Sequence, residues 1–147
     1  MAMNGELGKT LVIEDNRDSR DILAKLLRMS GYDVISAGDG EAGLAAAQRQ
    51  VPDLIITDIH MPNMNGIEFV QRVRSDHVLD KTPVLVVTAF GAHVAREAIN
   101  AGADAAAEKP FDFDGFLATV EKLIARRKTV PSRISNLSWA LLYLNSL

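Results

Sequence analysis

Residues 53–66 read DLIITDIHMPNMNG, and the organisation of the whole chain follows from this stretch. Residues 54–57 (LIIT) form a short apolar run, bounded by Pro52-Asp53 in front and by a segment rich in proline, asparagine and glycine behind. Such a run is typical of a strand buried on both faces of a parallel sheet. Ligands of open α/β sheets bind outside the carboxyl ends of the strands, so Asp58 is a candidate for chemistry. Capping of the next turn is its alternative role.

The length and composition predict one soluble domain. The chain has 147 residues, of which 48% are hydrophobic and 24% are charged, and its formal net charge is −3. This charge favours neither nucleic acid nor an anionic membrane as a partner, and no apolar run approaches the roughly 18 residues of a membrane span. The chain has no cysteine, which fits a reducing compartment, and residues 1–8 do not form a signal peptide. We therefore expect a cytoplasmic protein.

Five strand-like runs alternate with five segments of helical periodicity. The predicted strands are residues 9–13, 33–37, 54–57, 83–87 and 104–107. The predicted helices are residues 17–29, 41–50, 67–74, 93–101 and 113–127. Apolar side chains share one face of the first helix (Ile22, Leu23, Leu26 and Leu27) and are predicted to point inward from the fourth (Val94, Ala98 and Ile99). This order predicts a doubly wound, mostly parallel five-stranded sheet with helices on both faces.

Polar side chains follow four of the predicted strands at their carboxyl ends. Glu14 and Asp15 follow the first strand, Asp58 the third, Thr88 the fourth and Lys109 the fifth. Crowded carboxylates have raised pKa values unless a cation joins them, and hard oxygen ligands suit Mg²⁺. A lysine and a hydroxyl beside them are suited to holding phosphoryl oxygens. The alternative is a solvated salt-bridge cluster without a ligand.

Taken together, these motifs resemble the receiver domain of two-component response regulators, the family that includes the single-domain chemotaxis response regulators. The resemblance covers about residues 9–128. It rests on LVIEDN, PDLIITDIHMPNMNG, PVLVVTAF and AGADAAAEKPF, in this order and spacing. It implies a flavodoxin-like fold, with residues 1–8 as a flexible N-terminus and residues 129–147 as a C-terminal tail. No output domain is expected in the residues available.

The resemblance also implies a role for each residue at the strand ends. Asp58 would accept a phosphoryl group from a sensor histidine kinase or a histidine phosphotransfer protein. Glu14 and Asp15 would hold Mg²⁺, Asp15 directly and Glu14 through water, with Asp58 and the backbone carbonyl of His60 as further ligands. Lys109 would pair with Asp58 and then with the phosphoryl group.

The fourth and fifth strands would complete the site. Thr88 would turn its hydroxyl onto a phosphoryl oxygen, the amide of Ala89 would add a second donor, and Pro110 would follow a cis peptide. One position departs from the family pattern, because Ala106 stands where the family usually has a tyrosine or phenylalanine that rotates inward. An alanine has no rotamer to switch, which calls into question the usual route from the site to the signalling surface.

Two residues flank the predicted site, His60 after the third strand and Phe90 after the fourth. The ring of Phe90 is expected to crowd the water that would hydrolyse an aspartyl phosphate, giving a long-lived phosphoprotein. The alternative is that Phe90 packs against the following helix. His60 could also act through its side chain, either adding to this block or orienting the water as a base.

Other classes of protein fit the sequence less well. Haloacid-dehalogenase-like phosphatases carry a second aspartate two residues after the nucleophile, where this chain has His60. Rossmann domains carry glycines after the first strand, where this chain has Glu14-Asp15-Asn16. The main alternative is a receiver module that signals by docking without phosphorylation. We expect a monomer or weak homodimer, with neither nucleic acid nor a membrane as a partner.

The tail, residues 134–147, reads ISNLSWALLYLNSL and holds the only tryptophan of the chain. Ile134, Leu137, Leu141 and Leu144 follow one another at spacings of three, four and three residues. This spacing predicts an amphipathic helix that docks on the domain or on a partner chain. An added extension without a biological role is the alternative.

Overall fold

The computed structural model describes residues 5–129, with side chains up to Arg126, and contains all ten predicted elements. The strands are Lys9–Ile13 (β1), Asp33–Ala37 (β2), Leu54–Asp58 (β3), Val84–Thr88 (β4) and Ala105–Glu108 (β5). The helices are Arg17–Met29 (α1), Gly40–Arg49 (α2), Gly66–Ser75 (α3), Ala92–Ala101 (α4) and Phe113–Thr129 (α5). The predicted bounds therefore differ from these by no more than about two residues, the usual uncertainty of an element end.

The five strands form one parallel sheet in the order β2-β1-β3-β4-β5. The predicted doubly wound fold is confirmed. The strand order reverses between β1 and β3, where Ile13 lies beside Thr57 in register. A reversal of this kind opens a crevice at the carboxyl ends of the two strands. The residues that directly follow Ile13 and Thr57 are Glu14 and Asp58, so the fold brings these two carboxylates together.

Alternate residues of each central strand enter two separate cores. Leu11, Ile13 and Ile55 pack on the face covered by α2, α3 and α4. Val12 and Ile56 pack on the face covered by α1 and α5. Each of these side chains is at most 1% exposed. A strand covered on both faces needs apolar residues at successive positions, which explains the uninterrupted apolar runs in the sequence.

The predicted faces of α1 and α4 are only partly correct. In α1, Ala24 and Leu27 are buried, whereas Ile22 is 61% exposed and Leu26 is 36% exposed. In α4, Ile99 is 43% exposed. Helical periodicity identifies residues that share a face, but the neighbouring elements decide how wide a part of that face they cover. On α1 the sheet covers a narrower stripe than the apolar residues occupy.

Polar side chains cap the N-termini of α1, α2 and α3, the helices that start beside the carboxyl ends of β1, β2 and β3. The side chains of Asn16, Asp39 and Asn65 each accept a hydrogen bond from a backbone amide in the first turn of α1, α2 and α3, at 2.7–2.9 Å. Such caps satisfy amides that have no partner within the helix. They therefore fix the loops that border the carboxyl edge of the sheet.

The opposite edge of the sheet is held by an ion-pair network around Asp104, which precedes β5. Its carboxylate accepts hydrogen bonds from Arg74 at 2.7 Å, from the amide of Val84 at 2.8 Å and from Arg126 at 3.0 Å. Arg74 also donates to the carbonyl of Gly102 at 2.9 Å. These bonds connect α3, β4, α4, β5 and α5 at one place.

The helices within residues 5–129 do not combine the length and apolar character that a bilayer crossing requires. The predicted tail, residues 134–147, lies outside the described residues. Its helical structure and its docking therefore stay predictions, as do the predicted domain limits.

Candidate functional site

Three acidic residues meet at the crevice between β1 and β3. One carboxylate oxygen from each of Glu14, Asp15 and Asp58 lies within 4.8 Å of the other two. Glu14 is buried at 8% exposure, Asp58 is half-buried and Asp15 is exposed. The predicted acidic cluster is therefore present in the fold, with two carboxylates turned inward and one facing solvent.

Glu14 carries the strongest electrostatic perturbation of the cluster. Burial raises its pKa to about 8, the hydrogen bond with Asp58 and that residue's charge add to the rise, and Lys109 opposes it. Among the described residues, its Oε2 atom is buried without a hydrogen-bond partner. A buried oxygen without a partner beside two more carboxylates fits the ligand set of a hard divalent cation such as Mg²⁺. The cluster could thus hold a metal ion.

Lys109 supplies the positive charge next to these acids. Its Nζ atom lies 3.4 Å from Oδ2 of Asp58 and 3.9 Å from Oε1 of Glu14. The amide of Lys109 donates to the carbonyl of Thr88 at 2.7 Å, and the Lys109–Pro110 peptide is cis, as predicted. β5 and β4 thus position an ammonium group that faces two carboxylates from neighbouring strands.

The loop after β3 orients the carboxylate of Asp58. Oδ1 of Asp58 accepts a hydrogen bond from the amide of Ile59 at 2.7 Å, which leaves Oδ2 on the side of Lys109. The amide of Gly66 donates to the carbonyl of Ile59 at 2.8 Å, and a Cβ atom on Gly66 would collide with the carbonyl oxygen of Asp58. A glycine is therefore required where α3 begins.

Sequence reasoning missed two residues that support the site. It gave Gly66 no role of its own, although a glycine directly before a predicted helix can indicate a close backbone approach. It also missed Arg20, whose Nη1 atom donates to the backbone carbonyl of Glu14 at 2.8 Å. An arginine near the start of an amphipathic helix gives no sequence signal that distinguishes this contact from a solvent-facing position.

Thr88, His60 and Phe90 form a second part of the site. Thr88 is fully buried, and its hydroxyl oxygen accepts a hydrogen bond from the amide of Phe90 at 3.0 Å. The rings of His60 and Phe90 lie 4.0 Å apart between centroids, at an angle of 35°. Phe90 is 60% exposed, which does not support packing against α4 as its main role. The side chain of His60 contacts this ring instead of joining the acidic cluster.

A cavity of about 560 Å³ extends from the acidic cluster into the space between α1 and the loop after β5. Its polar end includes Asp58 and Lys109, and Ala89 also lines it. Its other walls are mainly apolar and include Ile22, Leu23, Leu26, Phe111 and Phe113. The carboxylate of Asp58 is therefore reachable from an apolar surface.

Ala106 lies on β5 opposite Val86 and is half-buried. Its neighbours Ala105 and Ala107 are equally small and half-buried. The edge strand of the sheet therefore carries a run of methyl groups where a ring was expected from the family pattern. Beside Thr88, the aromatic residue that the structure provides is Phe90, on the loop after β4.

The sequence of this chain is similar to those of known response regulators. Residues 10–121 match the model of the family described as the response regulator receiver domain. The DNA-binding dual master transcriptional regulator RpaA of Synechocystis is 37% identical over 84% of this chain and 52% of its own length. The transcriptional regulatory protein CpxR of Escherichia coli is 34% identical over 82% of this chain and 50% of its own length. The chain thus spans about half the length of these relatives.

Two solved structures are similar to this chain over nearly their whole length. The chemotaxis response regulator CheY4 of Vibrio cholerae has a TM-score of 0.73 at 34% identity, covering 78% of this chain and 97% of CheY4. A response regulator structure from Chloroflexus aurantiacus has a TM-score of 0.77 at 28% identity, covering 80% and 98%.

The family match includes the carboxyl ends of all five strands, where the acidic cluster and Lys109 lie. Receiver domains interact with histidine kinases or phosphotransfer proteins. This chain belongs to the response regulator receiver domain family, the phosphoacceptor module of two-component signal transduction.

Proposed function

We propose that Asp58 is the phosphoacceptor of this receiver domain, and that its donor is a phosphohistidine on a sensor histidine kinase or a histidine phosphotransfer protein. The supporting observation is the setting of its carboxylate. Oδ1 is held by the amide of Ile59, and Oδ2 lies 3.4 Å from Nζ of Lys109. In the transfer, Oδ2 forms a bond to phosphorus while the phosphorus–nitrogen bond breaks, and the leaving imidazole keeps the electron pair.

The other residues of the cluster act on the charge of the phosphoryl group. Glu14, Asp15, Asp58 and the backbone carbonyl of His60 would hold Mg²⁺, which neutralises charge on phosphoryl oxygens when bound. Lys109 already faces Asp58 and would pair with one of these oxygens. Phosphoryl transfer depends mainly on such positioning and charge neutralisation.

Thr88 and Ala89 would contribute the remaining donors. The hydroxyl oxygen of Thr88 accepts from the amide of Phe90 in this structure. A hydroxyl that accepts one hydrogen bond still has its own proton to donate, so Thr88 could donate to a phosphoryl oxygen. A turn of its side chain toward Asp58 would move the acceptor of the Phe90 amide. Such a change gives the loop after β4 a direct response to phosphorylation, although Ala106 has no ring to move.

The alternative is a receiver module that signals through docking alone. The arrangement of Glu14 supports phosphorylation instead, because its buried oxygen lacks a hydrogen-bond partner among the described residues. Without a cation or a phosphoryl group nearby, such an arrangement costs stability and has no compensating benefit. Dephosphorylation by the domain itself, a location in the cytoplasm and a monomeric or weakly dimeric state belong to this proposal as expectations.

Mass spectrometry after incubation with acetyl phosphate and Mg²⁺ tests the proposal. The wild-type protein should gain the mass of one phosphoryl group, and Asp58→Asn should gain none. Glu108→Gln is the matched control, because Glu108 is an exposed carboxylate at the same edge of the sheet. A phosphoryl group on another carboxylate of the Asp58→Asn protein would disprove the assignment. A folded wild-type protein that is never phosphorylated would favour docking alone.

A further inference from the structure

Arg20 holds the peptide unit that joins two residues of the acidic cluster. Its Nη1 atom donates to the backbone carbonyl of Glu14 at 2.8 Å, and this carbonyl belongs to the peptide between Glu14 and Asp15. On the other side of Glu14, its amide donates to the carbonyl of Ala37 at 3.1 Å. Both peptide units that flank Glu14 are therefore anchored, one to the end of β2 and the other to α1. The two bonds together restrict the backbone rotations that set the direction of the Glu14 side chain.

The loop after β2 leaves room for the guanidinium of Arg20. A Cβ atom on Gly38 would lie 3.1 Å from Nη1 and 3.8 Å from Cζ of this arginine, so the guanidinium lies close against the backbone of that loop. Arg20 is half-buried, whereas the three residues before it on α1 are exposed. Its side chain thus has a defined place between α1 and two loops at the carboxyl edge of the sheet.

The direction of two carboxylates depends on the peptide that Arg20 holds. Glu14 and Asp15 leave the backbone on either side of this peptide, and both belong to the acidic cluster. Mg²⁺ requires near-ideal octahedral geometry, so a change in the direction of either carboxylate should weaken its binding. Substitution of a residue that only orients metal ligands typically lowers metal affinity by about 10- to 100-fold. A bond that fixes this peptide in advance would reduce the ordering that metal binding requires.

We propose that Arg20 is a positioning residue of the cation site, and that it acts through the backbone of Glu14. This role rests on the proposed function, because it takes Glu14 and Asp15 as residues that hold Mg²⁺. An effect of the arginine's charge would have the opposite sign. A guanidinium repels a nearby cation, so removal of its charge alone should strengthen Mg²⁺ binding, whereas loss of positioning should weaken it.

The variant Arg20→Met in the full-length chain tests the proposal. Methionine keeps an apolar stem and forms helices well, but it has no hydrogen-bond donor. Titration calorimetry of the folded variant should show Mg²⁺ affinity lower by about tenfold. The Mg²⁺ concentration that half-saturates phosphorylation by acetyl phosphate should rise by the same factor. The rate at saturating Mg²⁺ should differ from that of the wild type by less than about twofold.

Two other arginines of α1 provide matched controls. Nη2 of Arg28 donates to the backbone carbonyl of Val34 at 3.0 Å, so Arg28→Met removes the same kind of bond from the same helix, at a distance from the cluster. The side chain of Arg17 is 83% exposed, so Arg17→Met removes a positive charge near the start of α1 without removing a bond to the loop. Both controls should keep the wild-type Mg²⁺ affinity within about twofold.

Each outcome supports or overturns the role of Arg20. Unchanged Mg²⁺ affinity in Arg20→Met would overturn it, and tighter binding would show that the guanidinium acts through its charge instead. Equal weakening in Arg28→Met would also overturn it, because the effect would then follow from any loosening of α1. So would slow phosphorylation of Arg20→Met that persists at saturating Mg²⁺. Failure of the proposed function would appear in the wild type, as an absence of Mg²⁺ binding or of phosphorylation. Failure of the positioning role alone would appear only in the Arg20 variant.

Discussion

The two edges of the sheet use acidic residues in opposite ways. At the amino edge, Asp104 accepts bonds from Arg74, Arg126 and the amide of Val84, all at 3.0 Å or less. At the carboxyl edge, Glu14 faces other carboxylates and has one ammonium group 3.9 Å away. The first arrangement balances its charges within the fold. The second leaves negative charge uncompensated, which indicates capacity to bind a cation.

This contrast shows why an acidic residue alone is weak evidence of function. Asp104 and Glu14 both lie next to strand ends in the same sheet, and both carboxylates are largely buried. Only the partners distinguish them. If the acids of the amino edge are structural and those of the carboxyl edge are functional, substitutions at the amino edge should alter stability. Substitutions at the carboxyl edge should alter metal binding and phosphorylation.

The largest effect on stability is expected from Asp104→Ala. The substitution leaves the half-buried guanidinium of Arg74 and the amide of Val84 without their shared acceptor, which should lower the free energy of unfolding by about 3 kcal/mol. Denaturant unfolding measures this, with the exposed Asp80→Ala as a control that should change by less than about 0.5 kcal/mol. Phosphorylation of the folded variant should persist. A variant that lost phosphorylation but kept its stability would remove the distinction between the two edges.

A pH-dependent effect is expected from Glu14 in the metal-free protein. Its pKa is raised from 4.5 to about 8 in the folded state. The protonated form therefore favours folding below about pH 4.5, and this contribution is lost as the pH rises through about 8. Glu14→Gln has no carboxyl group to titrate. The difference in the free energy of unfolding between wild type and variant should therefore change by roughly 2 kcal/mol across this window. This is less than the full pKa shift implies, because the folded protein relaxes around the ionised carboxylate.

Unfolding of both proteins at pH 5 and pH 8, with a chelator present, measures this difference. Added Mg²⁺ should stabilise the wild-type protein more at pH 8 than at pH 5, because the ionised carboxylate is the form that would hold the metal. Parallel pH dependences for the two proteins would show that Glu14 is not an uncompensated buried acid.

Metal affinity should respond to the exposed member of the cluster. Asp15→Ala should weaken Mg²⁺ binding more than tenfold, about 1.4 kcal/mol or more, because it would remove the carboxylate that we propose as a direct ligand. Asp18→Ala is the control, since Asp18 is an exposed acid in the first turn of α1. Titration calorimetry would report both. Unchanged affinity in Asp15→Ala would place the metal elsewhere.

The smallest effect is expected for the lifetime of the phosphorylated state. If Phe90 shields the site from water, Phe90→Ala should lose its phosphoryl group about threefold faster, which corresponds to less than about 1 kcal/mol. Because the ring of His60 contacts that of Phe90, His60→Ala should speed the loss similarly if the pair acts as one shield. Slower loss in His60→Ala would instead indicate that the imidazole helps hydrolysis. An unchanged rate in Phe90→Ala would exclude shielding, and Val78→Ala provides an exposed apolar control.

The sequence by itself determined the order of the elements and the edge on which the site lies. Apolar runs such as residues 54–57 are continuous because both faces of a central strand are buried, so periodicity and length identify them as strands. Parallel strands end at one edge. The polar residues after these runs, including Asp58 and Lys109, therefore share one edge as soon as the sheet is parallel.

Only the tertiary structure decided which groups are compensated and which surfaces remain open. Ile22 and Leu26 have the periodicity of core residues yet are exposed, because the elements packed on α1 bury Ala24 and Leu27 and cover Leu23 only in part. The ring contact between His60 and Phe90 likewise exists only because the loops after β3 and β4 lie side by side in the folded chain. The periodicity of a segment indicates which of its residues can be buried. Burial and pairing themselves depend on neighbours that only the folded chain brings into contact.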